Sequence, residues 1–145
     1  MVRYVLIGGF VFTKMTVPLI MELRHAMQNG RGARMSPGVV KAMSKWKKGD
    51  EEIVLLISVL RHRVNRGYDV SSVRIVESVN GKEVPTLKAF ADATAEPSGA
   101  EFLRIRFAGD DHDALVLRAA DLAAADKELL KRNKIASARE LRAKL

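Results

Sequence analysis

The chain has 145 residues, 48% hydrophobic and 29% charged, a composition that fits one folded domain and excludes a disordered chain. It contains no cysteine, which rules out disulfides and thiolate metal sites and suits a reducing, intracellular compartment. The net charge of +8 is unevenly placed: Lys14, Arg24, Arg31, Arg34, Lys41, Lys45, Lys47 and Lys48 are opposed by Glu22 alone between positions 14 and 48, while the remainder is near balance. No apolar run approaches the roughly 18 residues that span a bilayer.

In chain order, Val2–Ile7 reads as a strand and Phe10–Thr13 as a second, separated by Gly8-Gly9. A chain that enters a strand at its second residue reads as a domain taken from a longer protein, and the apolar start lacks a signal-peptide cleavage pattern. Thr16 caps a predicted helix that carries Pro18 in its first turn and runs to about Gln28, where Asn29-Gly30-Arg31-Gly32 breaks it. Ser36-Pro37 opens a second helix to about Trp46. The apolar run from Ile53 to Leu60 has the length and content of a strand buried on both faces. The chain turns at Asn65-Arg66-Gly67-Tyr68. Val73–Val79 alternates as a strand, and Asn80-Gly81 is a hairpin signal because both central residues of a type I′ turn need positive φ. Thr86 caps a helix over Leu87–Ala95, with Leu87, Phe90 and Ala91 on one face, which Pro97-Ser98-Gly99 ends. Phe102, Ile105 and Phe107 belong to a strand, Gly109-Asp110-Asp111 to a turn, and Leu115–Leu117 to the returning strand. An Ala/Leu-rich helix covers Ala119–Asn133, Ile135 is read as a strand-like plug, and Ser137 caps a terminal helix. The expectation is a single α+β domain over 1–145: a mostly antiparallel small sheet or partial barrel with capping helices. It carries a basic helical insertion at about 14–48, after the second strand, and a helical tail at about 119–145.

Catalytic chemistry finds no support in the motifs. His25, His62 and His112 lie on different elements, and none has a helical partner at i+3 or i+4 for a metal site. No serine sits on a Gly-flanked nucleophile turn. The run Asp110-Asp111-His112-Asp113 has the chemistry of a hairpin turn and lacks the ligand spacing of a Ca²⁺ loop. No cofactor is expected, since neither a dinucleotide nor a phosphate-loop glycine pattern follows Gly8-Gly9. Those two glycines suit either a nest of amide groups that accepts a carboxylate or a plain turn between strands. Arg61, His62, Arg63 and Arg66 fit a polar strand exit, with phosphate binding as the alternative. The basic segment could attract nucleic acid, yet Trp46 is its one stacking residue, which argues against nucleic acid as a partner.

Several stretches resemble one family in its own order along nearly the whole chain. Gly8-Gly9-Phe10-Val11-Phe12-Thr13 resembles the G-L-V-F-x-P-L opening of the second PDZ-like domain of plant-type Deg (protease Do-like, HtrA-related) serine proteases. Glu52 to Leu60, followed by Val64-Asn65-Arg66-Gly67-Tyr68, is similar to that domain's E-x-x-V-x-L-S-x-V-L and x-N-x-G-Y stretches. Val79-Asn80-Gly81-Lys82-Glu83-Val84 through Lys88 is similar to V-N-G-x-x-V-x-N-L-K. Ala119, Ala124, Leu129-Leu130, Ile135 and Ser137 resemble its ending. The resemblance implies a PDZ-like fold behind a trypsin-like protease domain and a first PDZ domain. This chain would then be non-catalytic, with the catalytic triad elsewhere in the parent.

The resemblance also implies a peptide or partner groove between the strand Phe10–Thr13 and the helix beginning near Thr86. Ile7, Gly8, Gly9 and Phe10 would form the carboxylate loop, with Val11 and Phe12 on the strand and Leu87, Phe90 and Ala91 on the helix. The family's carboxylate loop carries a hydrophobic residue where this chain has Gly8. Implied partners are other subunits or PDZ and protease domains of the parent, met by β-strand addition or helix docking, or else peptide C-termini and unfolded segments. Arg31, Arg34, Lys41, Lys45, Lys47 and Lys48 would supply a basic contact surface beside the groove.

Overall fold

In a computed structural model, the described residues are 4–30, 34–68, 72–95, 100–109, 114–134 and 139–140. They form β1 (Tyr4–Ile7), β2 (Phe10–Lys14), α1 (Val17–Gln28), β3 (Arg34–Met35), α2 (Pro37–Lys45) and β4 (Val54–Val59). A 3₁₀ turn (Arg63–Asn65) precedes β5 (Ser72–Val79), β6 (Lys82–Glu83), α3 (Leu87–Ala95), β7 (Phe102–Phe107), β8 (Ala114–Arg118), α4 (Ala119–Arg132) and β9 (Arg139–Glu140). The sheet runs β8-β7-β5-β4-β2-β1-β9 with antiparallel neighbours throughout, and β3 and β6 add to β5, β3 in parallel. This is the expected mostly antiparallel α+β fold, with the helical excursion after the second strand.

The local signals act as their chemistry requires. The hydroxyls of Thr16, Ser36 and Thr86 accept the amides of Leu19, Val39 and Ala89 at 3.2, 3.4 and 2.9 Å, and each cap is worth about 1 kcal/mol. Asn80 and Gly81 turn the β5–β6 hairpin with φ of 50° and 83°.

Two cores explain why the run around β4 is apolar without alternation. Val54 and Leu56 enter the main core with Phe10, Phe12, Val76, Phe90, Leu103 and Ile105. Leu55 faces the other way, into a second core with Met15, Ile20, Val39, Met43 and Val73, which the basic excursion covers. A strand covered on both faces has no solvent side on which to place polar residues.

At one end of the sheet, the Tyr68 hydroxyl donates to the Val116 carbonyl at 3.0 Å and accepts its amide at 3.1 Å. One side chain thereby satisfies backbone groups of β8, which pairs only with β7 among the described strands.

Two elements differ from expectation. β3 was not predicted; its backbone joins the parallel side of β5. Beyond α4 the chain does not continue as helix at Arg139–Glu140 but pairs as β9 with Val5 and Tyr4 of β1. The helical tail therefore ends with α4 as far as the described residues reach. Ile135, the Ser137 cap, Pro97-Ser98-Gly99 and the Asp110–Asp113 turn lie outside the described residues.

Candidate functional site

The Gly8-Gly9 step is a two-residue hairpin turn. Ile7 pairs with Phe10, and both glycines have positive φ, 56° and 88°, as a type I′ turn needs. The turn lays β1 antiparallel along β2, with Tyr4 opposite Thr13, Val5 opposite Phe12 and Leu6 opposite Val11. On its other side β2 pairs with β4 from Phe10 to Lys14. Strand addition to Phe10–Thr13, expected from the sequence, thus meets no free edge: β1 already fills the lane a bound peptide would take.

The groove residues follow from that pairing. Leu87, Phe90 and Ala91 of α3 are buried with Val5, Ile7, Phe10 and Phe12 in one continuous core. The Phe12 and Phe90 rings, both fully buried, meet at 4.5 Å between centroids. Phe10 points its ring edge-on to Tyr68, 5.9 Å away. These aromatics are core, each contributing about 1.5–3 kcal/mol of burial. Val11 is half-buried at the outer position of the strand.

The loop's polar groups are also taken, by the protein itself. The Gly8 amide donates to an Asp126 carboxylate oxygen of α4 at 2.6 Å, the contact an incoming C-terminal carboxylate would make. The buried Asn65 side chain donates to the carbonyls of Gly8 and Leu60 at 2.9 and 2.8 Å and accepts the His62 amide at 3.3 Å. The Leu60 amide closes the ring on the Gly9 carbonyl at 2.6 Å.

Asp126 escaped the sequence reading. Its signal was available: it lies one residue past Ala125 on the inward face of α4, between the buried Leu122 and Leu129. A carboxylate beside an apolar helical stripe needs a partner. Asp126→Ala leaves the Gly8 amide without its acceptor and is expected to cost about 2 kcal/mol in a urea titration, whereas Asp126→Asn keeps an acceptor and costs well under half as much.

Beside this loop, the 3₁₀ turn carries an ionic cluster. His62 Nδ1 accepts the Val64 amide at 3.1 Å, so the ring proton sits on Nε2 and is donated to Glu128 at 2.7 Å. That hydrogen bond first, and the nearby Arg63 and Arg132 charges after it, hold the Glu128 carboxyl below its ordinary range, with partial desolvation opposing. A lowered folded pKa means the contribution is complete above the ordinary carboxylate pKa and is lost as pH falls through the folded value. The urea midpoints of the parent and Glu128→Gln should therefore differ at pH 7 and converge in acid, once the pH has fallen below the lowered pKa of the folded carboxyl.

The basic candidates divide. Lys41 and Lys45 lie on α2, and Lys47 and Lys48 follow it, all four exposed. Arg34 belongs to β3, and Arg31 lies outside the described residues. The four lysines sit on the second-core side, across the sheet from Leu87, Phe90 and Ala91, so the structure does not bring them into one site with the groove candidates. Among the described residues, no cluster of three His, Cys, Asp or Glu could hold a metal, and no helix is long and apolar enough to cross a membrane.

A family model for the PDZ domain matches residues 1–141. No curated protein sequence matches the chain. The match takes in the Gly8-Gly9 hairpin, the basic excursion, α3 and α4 alike, and on that extent the chain belongs to the PDZ domain family, whose members are protein-interaction modules.

Proposed function

We propose that the chain is a non-catalytic module of a Deg/HtrA-type serine protease that builds or regulates the oligomer by docking another subunit or domain. The observation that carries this reading is the closed groove: β1 occupies the open side of β2, and Asp126 holds the Gly8 amide. A module whose peptide lane is filled from within retains its outer helical surfaces for contact. The protease parentage is supported by the sequence resemblance through Gly8–Thr13, Glu52–Tyr68, Val79–Lys88 and the tail.

Capture of peptide C-termini, the alternative reading, requires both β1 and Asp126 to yield. Two measurements separate the readings. Fluorescence titration with a library of hydrophobic C-terminal peptides is expected to show no saturable binding below about 100 μM, the weak end of useful peptide affinity. Sedimentation of the chain mixed with the rest of its parent protein is expected to show a complex. Micromolar peptide binding abolished by Val11→Asp, at the half-buried outer position of β2, in a folded variant would overturn the docking reading in favour of recognition.

A further inference from the structure

The excursion between β2 and β4 presents an apolar face that its own fold leaves uncovered. α1 buries only Ile20 fully, while Leu19 and Leu23 pack partly against the second core. On the adjoining side of the same helix Val17 and Met21 stand 44% and 66% exposed; Met27, in line with Ile20 and Leu23 at the end of the helix, is 49% exposed, and Val40 of α2 is 43% exposed. Val17, Met21, Arg24 and Gln28 follow one another at i, i+4, i+7 and i+11, a single stripe. Arg24 ties this stripe to α2 by donating to the Met43 carbonyl at 3.4 Å.

The lysines of the excursion outnumber its ion pairs, with Asp50 and Glu51 the nearest acids along the chain to Lys47 and Lys48. Lys14 is neutralised by Glu52 at 3.2 Å. Lys41, Lys45, Lys47 and Lys48 make no ion pair among the described residues. Lys41 and Lys45 stand four apart on α2, a spacing at which like charges repel. Lys45 gains from the helix C-terminus, but Lys41, in the middle, gains nothing in return.

We infer that the α1–α2 face docks an acidic amphipathic helix of a partner protein, its apolar side on Val17, Met21 and Met27 and its carboxylates on Lys41, Lys45, Lys47 and Lys48. Methionine suits such a surface because its unbranched side chain repacks around another helix. A second copy is not the occupant through this face alone, since a two-fold contact would set the same lysines against themselves. A nucleic-acid strand would need stacking surfaces, and the Trp46 indole N–H is already committed to the Glu51 carbonyl at 3.0 Å. A bilayer would be entered by Trp, Phe or Leu, where this face offers Val and Met. The inference rests on the docking reading above and names its partner's chemistry.

The test uses the whole chain and a synthetic glutamate-rich helix with leucine at i, i+3, i+4 and i+7. The probe is compared with a scrambled peptide of equal composition, phosphatidylserine vesicles and a single-stranded oligonucleotide. The amphipathic peptide is expected to bind at least ten-fold tighter than the scrambled one, and to lose about ten-fold in Met21→Ser and again in Lys41→Glu/Lys45→Glu, all of which retain the parent's thermal midpoint. Equal binding of the scrambled peptide, unchanged binding in the variants, or tighter binding of vesicles or oligonucleotide overturns it. A complex with the rest of the parent protein that survives all three substitutions would sink this surface and leave the docking reading standing.

Discussion

Gly9→Ala is expected to destabilise the domain by about 4 kcal/mol, a large share of the roughly 5–15 kcal/mol that holds a domain of this kind together. Two costs add. The position has φ of +88°, where a Cβ meets its own backbone. The new methyl would also land on the Leu60 carbonyl oxygen and the Asn65 side-chain amide, neither of which can retreat: the Asn65 amide donates to the Leu60 and Gly8 carbonyls, and the Leu60 N–H is tied to the Gly9 carbonyl. Gly8→Ala is the internal control. It pays the same kind of backbone cost at φ +56°, but its Cβ meets only the side-chain ends of Leu122 and Leu117, at 3.1 and 3.2 Å. Those ends can turn aside, so Gly8→Ala should cost about 1–2 kcal/mol. Urea titrations of the two variants side by side measure the difference. Equal losses would mean that the turn tolerates bulk and that the Leu60–Gly9–Asn65 ring is not the rigid part.

The contrast between those two glycines also marks where the sequence stopped being readable. Signals carried by neighbours along the chain survived intact: the Thr16, Ser36 and Thr86 caps, the Asn80-Gly81 turn, and the apolar run of β4. Gly8-Gly9 stayed open between a ligand nest and a turn because the answer depends on what lies beside β2. That neighbour is β1, and the group on the Gly8 amide comes from Asp126, 118 residues away. Phe12 and Phe90 were equally ambiguous, since aromatic residues fill cores and pockets alike and burial alone separates the two. β9 had no local signal at all. Arg139 and Glu140 have no strand propensity of their own, and only the free edge of β1 makes them a strand. The exposed methionines of α1 were hidden for the same reason: they lie within a stretch that reads as helix, and nothing along the chain says how much of that helix the second core covers.

Asn65→Ala should cost about 3 kcal/mol, since it removes the donor from two carbonyl oxygens at once. Asn65 is fully buried, so no water is at hand to replace the amide, and both acceptors are left under-satisfied next to the main core. Asn65→Asp, nearly the same shape, sharpens the test. Its carboxylate could still accept the His62 amide but would set a negative oxygen against the Gly8 and Leu60 carbonyls. Burial and those oxygens both disfavour the charged form, so the folded pKa of the new carboxyl lies above its unfolded value. Any stability the variant retains is then complete below the unfolded carboxylate pKa and drains away as pH rises through the folded one, because only the protonated acid can donate to a carbonyl. The parent carries no titratable group at this position, so the difference between parent and Asn65→Asp must widen from acid to neutral pH, while that of Asn65→Ala stays flat. A flat profile for both would show that Asn65 acts by filling space, and that the loop beneath β1 is held by the Asp126 and Leu60 contacts alone.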